Sequence, residues 1–550
     1  LAHSKNQLSQ PYQQLRFKGV GEDYPAGDNV VASSWMSGRR RGLLSNVVVG
    51  TVDQVLMMAL RQRYSMLRHV ALAGKIVIFD EVHAYDTYTS DYLERTLEWL
   101  AHYGATVIMM SATLPPERRN ALVKAYTGHE IATPSSAYPL ITVASGSSQR
   151  SITPELSPTN LEASIEVIAD PLDNLQNHMG ALLTDGGIAL IICNTIARAQ
   201  EAFKALQLSY PGEVELHHAG FMAWERSEKE DRLRAELGPT AHRGEGRPYR
   251  KIVVATQVAE QSLDIDADIL VTDIAPMDLL IQRIGRLHRH DRPAADRPAT
   301  LRSPRVFIRG IESLDPHPEI NSGAEAIYGA KVLLSTILHL PATFKRPDDV
   351  AELVRAAYSP DQVVPNEWIG EWEEAVVMDQ AREESAHSRS KSFRIKSPSE
   401  CTRLIDLFGD LHKATVRLGD DEKGAAQVRD AEPTVEVIPI VGTEAEYTPL
   451  GTDWVITGDP ELSYRQAFHL ASSTVRLPTR MTRYDRDFDE VVGALEQQTP
   501  TAWNKHYLLK GQLALPLDGD GEAELGRFRV RYSSELGIEI LSDGRSASVG

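Results

Sequence analysis

Short apolar runs, each closed by polar or small residues and followed by a helical pattern, recur through the N-terminal half of this chain. They are Asn46–Gly50 before TVDQVLMMAL, Ile76–Phe79 before DEVHAYD, Val107–Met110 before SATLP, Ile188–Cys193 before NTIARAQEAF and Ile252–Val254 before ATQVAEQ. A fully apolar run of this length, bounded by polar residues, suits a strand buried on both faces. Strands of that kind alternating with helices imply an α/β chain with parallel sheets covered by helices. Ligands then collect at the carboxyl ends of the strands. The polar motifs of this sequence fall at those ends.

The remaining sequence divides by composition. Ser145–Thr159 is rich in Ser, Pro and Thr, and a second break with three prolines runs through Asp291–Pro304. AEAIYGAKVLLSTILHL has a helical pattern, and residues 375–400 are charged and serine-rich without an apolar period, which predicts a mobile connector. The expected boundaries are a first lobe over 1–144, a linker over 145–160, a second lobe over 161–345, a helical or mobile linker over 346–430, and a small β or mixed accessory domain over 431–550.

No apolar run exceeds the length of Ile188–Cys193, which is far too short for a bilayer, and nothing at the N-terminus resembles a leader peptide. Two cysteines exclude a disulfide framework and suit a reducing compartment, so a cytoplasmic location is expected and no membrane partner. The net charge of −18 argues weakly against a nucleic-acid partner. The arginines are uneven, however. Arg39, Arg40 and Arg41 form one cluster, and Arg283, Arg286, Arg289, Arg292 and Arg297 another, so a local groove could still be basic.

Three motifs carry chemistry. In IVIFDEVHAYD a strand would deliver Asp80 and Glu81 to its end, one carboxylate to hold Mg²⁺ against nucleotide phosphates and one to orient and deprotonate the attacking water. The bland alternative is an ordinary acidic turn after a strand. In MMSATLP the hydroxyls of Ser111 and Thr113 could bond to the acidic motif and transmit nucleotide state, or could simply cap the next helix. In PMDLLIQRIGRLHRH, Gln282, Arg283, Arg286 and Arg289 fall at spacings that place several guanidiniums on one side of a helical turn. Guanidiniums match phosphate oxygens bidentately and stabilise charge on a transferring phosphoryl group; the alternative is a solvated basic helix.

Together the ordered set DEVH, SAT, ATQVAEQSLDI and QRIGRLHR resembles motifs II, III, V and VI of superfamily 2 helicases. The resemblance narrows to the CRISPR-associated helicase–nuclease of type I interference systems on GRRRGLLSNVVVGTVDQVLM, FDEVHAYDTYTSDYLE, HHAGFMAWERSEKE and AIYGAKVLLST. It covers residues 30–345 well and the tail loosely. It implies two RecA-like parallel-sheet lobes, the first incomplete, with a helical linker and a small C-terminal domain. The implied activity is ATP-dependent translocation on single-stranded DNA, with ATP and Mg²⁺ as cofactors. The implied partners are an RNA-guided surveillance complex and an HD nuclease domain that degrades the unwound DNA.

Carried over residue by residue, the resemblance makes Asp80 and Glu81 the metal and water acids. Arg286 and Arg289 become arginine fingers from the second lobe. His83, Ser111, Thr113, Asp264, Gln282 and Arg283 become nucleotide-contacting or coupling residues. Arg39, Arg40, Arg41, Thr51, Gln54, Thr256 and Gln257 become contacts to the strand backbone, which position without reading sequence. His218 and Arg226 resemble a motif between IV and V. Ser262 departs from the glycine that many members carry before the LDI triplet.

Two expected parts are missing. No GxxxxGK[ST] loop occurs to cradle phosphates, since Gly74–Lys75 runs on into Ile76 and a strand. No metal-binding His-Asp set is found either, His290–Asp291 being the one such pair and lying at the tail of motif VI. With Leu1 in first place, the expectation is an N-terminally truncated motor that alone neither turns over ATP nor cuts DNA. An RNA-directed helicase of the same superfamily, or a non-catalytic helicase-like scaffold in a surveillance complex, remain as alternatives.

Overall fold

The computed structural model describes residues 41–544 apart from 62–64, 83–85, 113, 134, 136, 156–160, 262, 402, 404–427, 430–433 and 459. Arg39, Arg40, His83 and Thr113 therefore lie outside the described residues. The chain divides into two compact units, residues 1–157 with 376–431, and residues 158–375 with 432–550.

In the first unit β1 (Val77–Phe79) and β2 (Val107–Met109) pair in parallel, with Phe79 opposite Met109. Helix Thr87–His102 is capped by Asp86, whose carboxylate accepts the Thr89 N–H at 2.7 Å. The helix buries Tyr92, Leu93, Leu97, Trp99 and Leu100 in a core that also takes Val77 and Phe79. The other face of the strands differs from the expectation of burial on both sides. Ile76, Ile78, Ile108 and Met110 are exposed, because among the described residues the two strands have only one covered face and only each other as partners. Nor is Asn46–Gly50 a strand: only Gly50 makes a bridge, and Val47 and Val49 are exposed.

Two expected linkers are ordered. β3 (Ile141–Ser145) and β4 (Ser148–Ile152) form a hairpin over the start of the predicted 145–160 linker, with Gly146 taking φ +54° in the two-residue turn. The predicted mobile connector is a 25-residue helix, Ile369–Phe393. Its sequence shows no large apolar stripe because its buried positions are small, Ala375, Ala386 and Ser390. Its Glu, Ala, Met and Arg content favours helix all the same. Within the first unit, Tyr92 Oη donates to Ser390 O at 3.1 Å and Trp99 Nε1 to Lys396 O at 3.0 Å, fixing this segment on helix Thr87–His102.

The second unit is built on a seven-stranded sheet. Its strands are β5 (Leu161–Val167), β6 (Gly187–Ile192), β7 (Val214–His217), β10 (Arg250–Ala255), β11 (Ile269–Asp273), β12 (Arg305–Arg309) and β15 (Thr343–Arg346), after two short pairs are set aside. Those pairs are β8 (His242–Arg243) with β9 (Gly246–Arg247), and β13 (Ile311–Ser313) with β14 (Glu319–Ile320). The sheet order is β15-β5-β12-β11-β6-β10-β7, parallel except for β15. Every residue of β6 and β11 is buried, including the polar Thr272 and Asp273 that close β11. Each large aliphatic side chain buried there contributes about 1.5–3 kcal/mol. Helix Val350–Ala357, inside the predicted 346–430 linker, buries Val350, Val354 and Ala357 on this core.

The C-terminal segment is mixed, as its pattern suggested. β16 (Glu436–Gly442) lies between β17 (Glu446–Pro449) and β19 (Val475–Arg476), β18 (Ile456–Thr457) extends the β17 side, and β20 (Leu513–Leu517) pairs with β16 in parallel. A meander of β21 (Glu522–Leu525), β22 (Phe528–Ser533) and β23 (Gly537–Asp543) follows. Val437, Leu515, Phe528 and Val530 share one core with Met222, so this domain packs on the seven-stranded sheet's unit.

Candidate functional site

The acidic motif emerges where β1 ends. Met110 N–H donates to Phe79 O at 2.9 Å, and Val82 N–H to Met110 O at 3.2 Å, so the DEV and MSA segments are stitched side by side. Ser111 follows directly and is partly exposed. Asp80 and Glu81 are both exposed, and Asp80 Oδ1 accepts the Glu81 N–H at 3.0 Å. Glu81 has φ +54°, a left-handed conformation costing a non-glycine residue roughly 1–3 kcal/mol. Among the described residues only His288, at φ +45°, shares that feature without being glycine. Both strained positions fall inside the motifs singled out for chemistry.

In the same unit Thr51 is exposed at the N-cap of helix Val52–Leu56 and makes no capping bond through its side chain. Gln54 is pinned by the buried Arg68, whose Nη1 donates to Gln54 Oε1 at 3.0 Å and to its carbonyl at 2.8 Å. Arg41 opens the helical turn Arg41–Leu44.

The second unit carries the arginine motif on helix Met277–Ile284 and the turn after it. Arg283 is fully buried. Its Nε donates to Glu260 Oε1 (2.7 Å), Nη1 to Thr272 Oγ1 (2.7 Å) and Asp273 O (2.9 Å), and Nη2 to Asn194 Oδ1 (3.1 Å) and Tyr328 Oη (3.2 Å). It ties together the carboxyl ends of β6, β10 and β11. Gln257 joins the same hub, donating from Nε2 to Asn194 O at 2.8 Å and Tyr328 Oη at 3.3 Å. Thr256 is buried beside it, with its N–H on His217 O at 3.2 Å.

Arg286 is nearly buried and donates to the carbonyls of Ala259 and Glu260. Arg289 remains accessible. Its side chain is 37% exposed, and it donates to Asp264, itself 53% exposed. That bond holds the Asp264 carboxyl below the ordinary range. Gln282 sits partly exposed on the helix.

The turn bearing Arg286 and Arg289 is fastened to the strand leading into β11. Ala267 N–H donates to Arg286 O and His288 N–H to Ala267 O, each at 3.0 Å. One residue earlier the fully buried Asp266 accepts Arg297 Nη2 on both oxygens at 2.9 Å, and also Arg292 Nε. Burial works against charge on Asp266, but Arg297, Arg247 and Arg292 together keep its carboxyl below the usual range. The expected basic cluster is thus largely internal: Arg283, Arg286, Arg292 and Arg297 satisfy acceptors within the unit, and Arg289 is the accessible member. Sequence reasoning missed Asn194, Glu260, Asp266 and Tyr328; the only signal was that each lies within a quoted motif or next to one.

Strand ends bearing an acidic pair, a serine turn and a fastened arginine turn, on parallel sheets of RecA-like type, define a superfamily 2 helicase. Comparison with known proteins narrows the class. The family model "DEAD/DEAH box helicase" matches residues 17–121, "CRISPR-associated nuclease/helicase Cas3, C-terminal" matches 185–292, and "Cas3 C-terminal domain" matches 429–538. The CRISPR-associated nuclease/helicase Cas3 of Streptococcus thermophilus is 33% identical over the whole chain and 60% of its own length. A solved structure described as a CRISPR-associated protein is 34% identical with a TM-score of 0.81, covering 96% of this chain and 59% of that one. The ATP-bound Cas3 of T. fusca shares the fold with a TM-score of 0.81 at 24% identity, covering 98% of this chain and 60% of that one. The chain belongs to the Cas3 helicase family of type I CRISPR systems. It spans about 60% of the length of the curated relatives it matches first.

Proposed function

We propose that this chain is the motor portion of an ATP-dependent translocase on single-stranded DNA, acting in type I CRISPR interference. The observation that carries the reading is the accessible acid pair Asp80–Glu81 at the end of β1, with Glu81 held in a left-handed conformation beside the MSA segment. Two exposed carboxylates at a strand end are hard oxygen donors suited to Mg²⁺, which takes one or two carboxylates together with substrate phosphates. Bound with ATP, that ion would neutralise phosphate charge. Asp80 would hold it, and Glu81 would orient and accept a proton from the attacking water. Arg289 would supply positive charge to the transferring phosphoryl group, positioned by Asp264, while Arg286 holds the turn that carries it through the Ala259 and Glu260 carbonyls. Ser111 couples nucleotide state to movement, and Gln282 lies at the nucleotide. Thr51, Gln54, Thr256 and Gln257 bear on the strand, the last two through a loop that the Arg283–Tyr328 hub holds still.

In this reading an RNA-guided surveillance complex recruits the motor, and an HD nuclease domain outside this sequence degrades the strand it pulls. With no GxxxxGK[ST] loop among the 550 residues, this chain alone does not turn over ATP. The test is Mg²⁺-dependent ATP hydrolysis by the intact parent protein with single-stranded DNA, single-stranded RNA, or neither. Stimulation by DNA alone supports the reading. Stimulation by RNA as strong as by DNA replaces it with an RNA helicase, and absence of turnover replaces it with a scaffold.

A further inference from the structure

The segment HHAGFMAWER is the one quoted motif that the nucleotide and strand machinery above leaves without a role. It starts at the end of β7, where His217 and His218 are fully buried, and it lies beside Thr256 through the bond from Thr256 N–H to His217 O. Burial drives the His218 imidazole down to about 3, so the ring is neutral, and its Nδ1 accepts the Gly220 N–H at 3.0 Å.

The loop is supported by the C-terminal domain. The turn between β22 and β23 lies against the loop, and Ile538 N–H donates to Gly220 O at 3.0 Å. Tyr532 Oη accepts the Met222 N–H at 2.9 Å and donates to Glu225. Gln200, on the helix after β6, donates from Nε2 to Leu536 O at 2.8 Å and Ile538 O at 3.0 Å. At the turn itself Gly537 has φ +67°, and a β-carbon there would lie 2.6 Å from Gly220 O and 2.9 Å from His218 Cε1. Only glycine permits so close an approach of hairpin to loop.

We infer that the β22–β23 hairpin of the C-terminal domain is a positioning device for strand engagement: Tyr532 and Gly537 hold the His217–Met222 loop so that the Thr256–Gln257 turn beside it, with Gln257 partly exposed, forms the strand-contacting edge of the second unit. The inference rests on the strand role proposed for Thr256. The path runs from the hairpin to Gly220 and Met222, through His217 O to the Thr256 N–H, and so to the adjoining Gln257. A loop buried without its hydrogen-bond partner shifts to find another, and the Met222 N–H has Tyr532 Oη as its partner here.

The test uses the intact parent protein and a dye-labelled single-stranded DNA, with binding followed by fluorescence anisotropy and folding by thermal unfolding. Tyr532→Phe, which keeps the ring and removes the hydroxyl, and Gly537→Ala should each weaken strand binding about tenfold. Lys204→Met removes only the exposed end of the Lys204–Glu539 pair on the hairpin's flank and should leave affinity unchanged. Weaker binding in Tyr532→Phe with an unfolding midpoint close to that of the parent chain supports positioning. Full affinity in Tyr532→Phe overturns the inference even if Gly537→Ala fails to fold, as does a lowered midpoint without loss of affinity. Failure of the unaltered chain to bind DNA would instead remove the strand reading itself, and the inference with it.

Discussion

Replacing Arg283 by Met should destabilise the second unit severely, and the reason lies in what the substitution leaves behind. Methionine fills much of the same volume, so packing changes little. Five hydrogen bonds from the guanidinium are lost, and Glu260, with a side chain only 4% exposed, keeps its carboxylate without its hydrogen-bonded counter-charge. Removing one member of a buried pair costs about 3–5 kcal/mol, most of it from the stranded partner. With a urea slope of about 3 kcal/mol per M, the unfolding midpoint should fall by about 1 M or more.

The double variant Arg283→Met with Glu260→Gln should recover much of that loss, because neither position then holds a charge. The deficit should also depend on pH. Burial already holds the Glu260 carboxyl above its ordinary value, with Arg283 pulling it back down. A carboxyl raised in the fold favours folding while it is protonated, below its unfolded value, and that contribution disappears as pH rises through the folded value. Without Arg283 the shift grows, so the variant should lose more at about pH 8 than at about pH 5. Urea unfolding of both variants by circular dichroism at the two pH values checks this. A midpoint unchanged in Arg283→Met, or a double variant weaker than the single one, would refute the argument that Arg283 acts as a buried charge partner.

Other outcomes follow from the same geometry. Arg289→Ala should cut strand-stimulated ATP hydrolysis by the intact protein roughly a thousandfold. It should cost at most about 1 kcal/mol of stability, since the Arg289–Asp264 pair is exposed to solvent. Because that pairing lowers the Asp264 carboxyl, its small contribution is present above the unfolded value and fades as pH falls through the folded one, which a Tm series against pH reads directly. Glu81→Gly should relieve the left-handed strain and raise stability by about 1 kcal/mol while abolishing hydrolysis; Glu81→Ala should lose activity without that gain. Asp80→Asn should lower stimulated hydrolysis by about 100-fold or more while leaving the urea midpoint in place, because Asp80 is exposed.

The sheet of the second unit was legible in the sequence because its signal is local. Ile188–Cys193 and Ile252–Val254 are apolar without interruption, and they became β6 and β10, two central strands covered on both faces. The same signal misled at Asn46–Gly50 and at the outer face of β1 and β2, where exposure depends on what packs alongside rather than on the run itself. Which form the helical or mobile linker expected over 346–430 takes was illegible for a related reason. Helix Ile369–Phe393 buries alanines and a serine, which leave no hydrophobic period to read.

The candidate site divides along the same line. Spacing marked Asp80, Glu81, Ser111, Arg283, Arg286 and Arg289 as candidates, since residues that share a strand end or a helical turn are neighbours wherever the rest of the chain goes, and the resemblance gave them their expected roles. What each arginine does was beyond the reach of spacing. Arg283, Arg286 and Arg289 recur every three residues and look alike in sequence, yet one is fully buried, one is nearly so and one is accessible. Their partners Asn194, Glu260, Asp264 and Tyr328 are 23 to 89 residues away. A local pattern therefore determined which side chains could carry charge to a phosphate. Only the tertiary fold, by bringing distant acceptors to some guanidiniums and leaving another open, decided which of those charges are spent on holding the lobe together.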